Sequence, residues 1–235
     1  MTGLSLTADW PSSPNAAVVE RVKAAARNPR IAWITPFTRS GRERFPLACR
    51  RWETLGFSNL EYCDIDEEPD PNQLSTLERY DVVYLSGGDP VAFRARLLGS
   101  QLGENLRRYL EAGGAVVCAS GGSMQFTPNV SLYRLKTVDW EAVVADRDMY
   151  DGLGIVDYEL LPHMNRFDTK LLDKVRRYSE RVPHPIIALA DGAALIQDTA
   201  GFRCAGQAVR YQNGVVSPMG DVVSGASRTG HRVEA

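Results

Sequence analysis

The stretch Ala115–Met124, AVVCASGGSM, decides how this chain is read. Its first five residues have the apolar, branched content of a buried strand. The run stops at Ser120, followed by Gly121 and Gly122. In an α/β sheet, reactive groups collect at the carboxyl ends of strands. A serine on a sharp strand-to-helix turn presents its hydroxyl there, and crowding demands small residues two before and two after it. Cys118 and Gly122 satisfy that demand, although the usual first residue is glycine. A strand-end serine before two glycines is also an ordinary turn, so its surroundings decide.

Working outward, strand-length apolar runs alternate with helical patterns. GLSLT (3–7) reads as a strand. NAAVVERVKAAARN (15–28) reads as a helix with Asn15 as N-cap and Val18, Val19, Val22 and Ala25 on one face. RIAWITPF (30–37) is a near-continuous apolar strand, as in a parallel sheet covered on both faces. RFPLACRRWETLGF (44–57) is a helix with Gly56 suited to C′. NLEYCDI and YDVVYLSGG are further strands, and ENLRRYLEAGG is a helix ending at Gly113. This rhythm predicts a doubly wound α/β fold, mostly parallel, with helices on both faces. Later, DTKLLDKVRRYSER is a helix capped by Asp168. PIIALA, AALIQD and AVRYQNGVVS read as an antiparallel meander at one sheet edge, with Asn213-Gly214 as a turn. Residues 125–152 form an acidic mixed connection. One domain is expected over 1–223, with a polar tail over 224–235 expected to be mobile.

The chain has 235 residues, 44% of them hydrophobic, and a net charge of −2 from 27 basic and 29 acidic residues. No basic field points to nucleic acid, and no apolar run approaches the ~20 residues of a membrane span. The N-terminal stretch lacks a signal-peptide pattern. Four scattered cysteines, Cys49, Cys63, Cys118 and Cys204, read as reduced thiols of a cytoplasmic protein rather than a metal site or disulfide frame. No cofactor is called for. The partner expected is a small peptide or amide substrate, and a homodimer is left open.

A serine hydroxyl needs a base, and there are three histidines. His163 follows a strand, GIVDYELLPH, and precedes a helix, which puts it at a strand end. His184 lies between prolines before a strand, and His231 lies in the tail. The base needs an acceptor for its other nitrogen. Asp191 closes PIIALA at a carboxyl end, although Asp-Gly is also a turn dipeptide. Asp139 and Glu141 are the alternatives. Gly88, in LSGGDP, and Gly121 are placed to offer amides to an oxyanion. Asp89 and Pro90 suit an N-cap and first helical position.

These pieces together resemble the serine peptidase family of dipeptidase E (aspartyl dipeptidase) and cyanophycinase, over roughly residues 30–200. LSGGDP is similar to that family's glycine-rich strand end, ASGGS to its nucleophile elbow, LGIVDYELLPHM to its histidine segment, and ADGAALI to its acid segment. The resemblance implies a class I glutamine-amidotransferase-like fold. It also implies a triad of Ser120, His163 and Asp191, with Gly88 and Gly121 as oxyanion donors. Asp89-Pro90 replaces the commoner Asn-Thr, Gly121 replaces alanine and gives a looser elbow, and Asp191 replaces the longer glutamate. The family's arginine-containing segment reads NRFDTKLLDKVRR here, which leaves an aspartate-specific pocket unsupported. Asp89 and Arg166 are the substrate-binding candidates, Arg166 by pairing a carboxylate. Two other readings stand beside the serine-type peptidase: a Cys118-dependent glutaminase-like enzyme, and a non-catalytic binding or sensor protein of the same fold.

Overall fold

The computed structural model describes residues 3–36, 38–65, 76–198, 201–219 and 223–224. Of the expected tail, all but Ser224, including His231, lies outside the described residues. The chain opens on β1 (Gly3–Thr7), buried along its length. α1 (Ala16–Ala25) is started by Asn15, whose side chain accepts from the Ala17 amide at 3.0 Å. Such a cap contributes about 1 kcal/mol. After β2 (Ile31–Thr35), α2 (Thr38–Glu53) begins earlier than the apolar pattern indicates, so Pro46 falls inside it and removes one backbone hydrogen bond. Its end matches expectation. Gly56 takes φ 90°, its amide donates to Glu53 O, and the Phe57 amide donates to Trp52 O. This paired closure is a Schellman motif, which needs the left-handed residue that glycine supplies.

β3 (Leu60–Asp64), β4 (Val82–Leu85), α3 (Pro90–Leu98), α4 (Leu102–Glu111) and β5 (Ala115–Ala119) continue the alternation. The five strands run parallel in the order β1-β5-β4-β2-β3. Both faces are covered, which is why these strands read as unbroken apolar runs. On β5, Val116 and Cys118 face a core that includes Phe93, Leu102 and Leu106. Val117 and Ala119 face the other core, with Val18, Val22 and Trp52. This period of two buries the Cys118 side chain between sheet and helices.

The second half builds on α5 (Gly121–Met124), α6 (Trp140–Ala145), β6 (Glu159–Pro162), α7 (Thr169–Ser179) and β7 (Ile186–Leu189). β8 (Ala194–Asp198), β9 (Gly201–Ala205), β10 (Ala208–Gln212), β11 (Val215–Met219) and β12 (Val223–Ser224) complete it. The meander expected at one sheet edge does not form as a single unit. Its antiparallel pairings exist but are divided between two sheets. β8 pairs with β1 and extends the first sheet through β9 and β12. β7 pairs with β10 and, in parallel, with β6, forming a second sheet in the order β11-β10-β7-β6. The physical reason is the turn after β7. Ala193 N–H donates to Ala190 O, and Gly192 takes φ 80°. That turn passes the chain from one sheet to the other instead of folding β8 back on β7. Asn213 and Gly214 do close a hairpin, both at positive φ, between paired Gln212 and Val215.

α7, capped by Asp168 accepting from the Leu171 amide at 2.8 Å, covers the second sheet through Val175 and Tyr178. Glu159, at the start of β6, is wholly buried. It accepts from Arg147 at 2.7 Å and from the Tyr178 hydroxyl at 3.0 Å. Burial raises its pKa, and the Arg147 charge only partly offsets this. The network anchors the strand whose far end carries His163. Among the described residues, no helix is long and apolar enough to cross a membrane.

Candidate active site

Ser120 leaves β5 at φ 49° and ψ −118°, a conformation that L-residues rarely adopt. Its amide donates to Thr7 O at 2.9 Å. Ser123, buried beneath it, donates to Thr7 O at 3.0 Å and accepts from the Thr7 amide at 3.1 Å. Neighbouring β1 therefore holds the strained turn in place, as such strain requires.

Both glycines after Ser120 are demanded by the end of β4. A Cβ on Gly122 would lie 2.5 Å from Ser86 O, and one on Gly121 would lie 2.1 Å from Gly88 O. Glycine at 121 is thus the partner of the close Gly88 carbonyl rather than a loosened elbow. Gln125 ties the same two loops, donating to Pro90 O at 3.0 Å and to Gly121 O at 2.8 Å. Asp89 caps α3 through the Val91 and Ala92 amides. Replacing Gly121 by alanine is expected to displace the 87–90 loop. The cost would be about 1–3 kcal/mol of stability and about a hundredfold in turnover. Thermal unfolding and initial rates measure both, and an alanine variant equal to wild type in each would contradict the contact's importance.

His163 sits just past β6 at φ 66° and ψ 31°, in the left-handed region. Among the described non-glycine residues, only Ser120, His163 and Asn213 have positive φ. Asn213 is explained by its hairpin, and the other two meet each other. His163 Nε2 lies 2.9 Å from Ser120 Oγ, and Nδ1 lies 2.7 Å from Asp191 Oδ1. The carboxylate can only accept, so the proton belongs on Nδ1, and Nε2 is left to accept from the serine hydroxyl. The side chains of His163 and Asp191 are only 15% and 16% exposed, so the chain is largely shielded from solvent.

Asp191 stands at the turn between the two sheets. Its Oδ2 accepts from Arg166 Nε at 2.6 Å and from Asn165 Nδ2 at 3.2 Å. Its own amide donates to Asn165 Oδ1 at 2.9 Å. Burial opposes its ionisation, but the bonds from His163, Arg166 and Asn165 prevail and hold its pKa below the ordinary aspartate value. The shorter aspartate reaches the imidazole because its turn leads into β8, which pairs with β1 in the sheet that carries Ser120.

The other candidates lie elsewhere or act differently. Asp139 pairs with Lys174 at 2.8 Å, and Glu141 is exposed on α6. His184 precedes β7, at the end of that strand opposite Asp191. Cys118 is buried, and burial pushes its thiol well above the ordinary pKa. Cys118→Ala is accordingly expected to keep turnover within about threefold of wild type; loss of activity would revive the thiol reading. Arg166 does not stand free for a substrate. Its guanidinium bridges Asp191 and Asp9, reaching Asp9 Oδ2 at 2.9 Å.

The cleft at Ser120 is lined by Gly88, Pro90, Gly121, Met124, Tyr133, Lys136, Leu161 and Pro162. Larger depressions, of about 460 and 840 Å³, lie along other faces and hold no nucleophile–base pair. Lys136, which the sequence reading missed, rests its ammonium over the rings of Tyr133 and Phe167 at 4.5 and 5.0 Å. Burial and then the Arg166 charge lower its pKa, against the opposing pull of Asp89. Asp9 and Asn165 were missed as well. Asp9 follows the carboxyl end of β1, the same sheet edge that singled out Ser120.

A hydroxyl, an imidazole and a carboxylate in one hydrogen-bonded chain, at the carboxyl edge of an α/β sheet, form the constellation that serine hydrolases use. The particular lineage is also defined. The chain belongs to peptidase family S51, whose sequence model matches residues 18–204. Two curated relatives are the uncharacterized peptidases Lmo0363 of Listeria monocytogenes serovar 1/2a and Lin0382 of Listeria innocua serovar 6a. Each is 26% identical to this chain, over 113 and 137 residues respectively. The matches cover 48% and 57% of this chain, but only 54% and 64% of the relatives, under two thirds of their length. Among solved structures, a peptidase from an acI-B1 actinobacterium superposes with a TM-score of 0.70 at 15% identity, covering 93% of this chain and 94% of that one. A putative peptidase E protein from Listeria monocytogenes EGD-e gives 0.67 at 20% identity, covering 88% and 98%. At these identities the likeness is one of fold.

Proposed function

We propose that this protein is a serine-type peptidase or amidohydrolase acting on a small peptide or amide through an acyl-enzyme. The observation that carries this reading is the unbroken Ser120–His163–Asp191 hydrogen-bond chain. Membership of peptidase family S51 supports it.

In this reading Ser120 Oγ attacks the carbonyl carbon while its proton passes to His163 Nε2. Asp191 accepts from Nδ1, holds the tautomer and stabilises the imidazolium. The negative charge on the substrate oxygen is met by the amides of Gly88 and Gly121. The Gly121 amide heads α5, so no earlier helical carbonyl claims it. His163 then protonates the leaving amine. Water, activated by the same imidazole, releases the acyl group. Asp89 and Lys136 supply the cleft rim with one charge of each sign for orienting a small polar substrate. The scattered spacing of the four cysteines supports a reducing, cytoplasmic setting.

Turnover on a panel of dipeptides, isopeptides and simple amides tests the reading. Hydrolysis of at least one class, with product release that stops in the serine variant, is the expected result. Ligand binding without hydrolysis across the panel would favour a non-catalytic binding protein instead.

A further inference from the structure

We propose that Arg166 is a positioning residue that clips the acid of the triad to the nucleophile's sheet. The inference rests on the serine-hydrolase reading above and concerns what keeps that site assembled. The hydrogen-bonded chain crosses a seam. Ser120 ends β5 of the large sheet, whereas His163 and Asp191 end β6 and β7 of the small one. Backbone pairing across that seam comes no nearer to Asp191 than Ala193, whose carbonyl accepts from the Ala8 amide at 3.4 Å, and among the described residues no ladder joins β6 or β7 to the large sheet. A shift of about 1 Å there can cost a hundredfold in rate.

Arg166 spans the gap. Its Nε donates to Asp191 Oδ2 at 2.6 Å, and one terminal nitrogen donates to Asp9 Oδ2 at 2.9 Å. Asp9 lies just beyond β1, and β1 is the parallel neighbour of β5. One rigid planar fork thus joins the acid on one sheet to the strand end beside the nucleophile on the other. A second tie crosses at the same turn, where Asn15 Nδ2 donates to Gly192 O at 2.8 Å. With Oδ2 held by arginine and Oδ1 by histidine, the plane of the Asp191 carboxylate is set. The arginine side chain is 52% exposed, so the ion pairs add little to global stability. Their effect belongs in the rate of chemistry.

A neutral fluorophosphonate probe tests this without knowledge of the substrate. Ser120 Oγ forms a bond to phosphorus, its proton goes to His163 Nε2, and fluoride leaves with the electrons of the P–F bond. The probe has no carboxylate, so an arginine that merely bound substrate carboxylates would not alter its reaction. Arg166→Gln is expected to lower the first-order labelling constant about tenfold, with the half-saturating probe concentration unchanged. Asp9→Asn should lower it about threefold, and Arg166→Lys should recover part of the loss, because a point charge reaches one carboxylate rather than two. Thermal unfolding should stay near wild type in all three. Labelling of Arg166→Gln and Asp9→Asn at the wild-type rate overturns the clip, as does a change confined to probe affinity. If Arg166→Gln does not fold, Asp9→Asn and Arg166→Lys decide the matter by the same rates. A wild-type chain that never labels at Ser120 would instead defeat the underlying hydrolase reading, which is a separate outcome.

Discussion

Replacing Ser120 by alanine is expected to lower turnover by about 10⁴-fold or more, with the fold intact. The size follows from what the hydroxyl does. In the proposed mechanism it forms the covalent bond, and neither His163 nor the glycine amides can replace it. Whatever remains would come from substrate positioning and the oxyanion donors alone. The stability expectation follows from its contacts. The turn is held by the Ser120 amide on Thr7 and by Ser123 below, and alanine leaves both in place. Matching unfolding curves with turnover lost is therefore the predicted pair of results. An alanine variant that retains activity within tenfold would require a different nucleophile.

Asp191→Asn is the second large effect, expected at about 10³–10⁴ in turnover with modest change in KM. An asparagine must place either its oxygen or its amide nitrogen towards His163. With the nitrogen facing the ring, the imidazole is driven to the opposite tautomer, and Nε2 loses its lone pair for the serine proton. With the oxygen facing the ring, the NH₂ group meets the Arg166 and Asn165 donors, leaving three donors without an acceptor. Either way the imidazolium loses its counter-charge. The same substitution has a pH signature. The Asp191 pKa is lower in the folded protein than in the unfolded chain, so ionisation favours folding. That stabilisation is full at neutral pH and fades as the pH falls below the unfolded aspartate value and through the folded one. Asp191→Asn should remove this part of the acid-side loss of stability, measured as unfolding midpoints between pH 7 and pH 3. An identical acid profile in the variant would show that the shift contributes nothing to folding.

Much of the first half was legible because its signals are local. AVVCASGGSM reads as strand, elbow and helix start from residue size together with the strand and helix patterns on either side of it. Asn15, Asp89 and Asp168 cap helices as their positions suggest, and Gly56 and Gly113 end helices at positive φ. Partners distant in sequence were harder. The buried run Ile186–Leu189 has the same character whichever strand lies beside it, so its pairing with β10 rather than β8 was hidden. The bridging position of Arg166 was hidden for the same reason. Its partner Asp9 is 157 residues away, and a lone arginine near a histidine suits a substrate carboxylate equally well. The glycine at 121 looked like a loss of rigidity until the Gly88 carbonyl was seen against it.

The most direct measurement is peptide mapping by mass spectrometry after treatment with a fluorophosphonate. One stoichiometric adduct is expected, on Ser120, whose formation slows by orders of magnitude in His163→Ala. An adduct on another residue, or equal labelling with and without the imidazole, would contradict it.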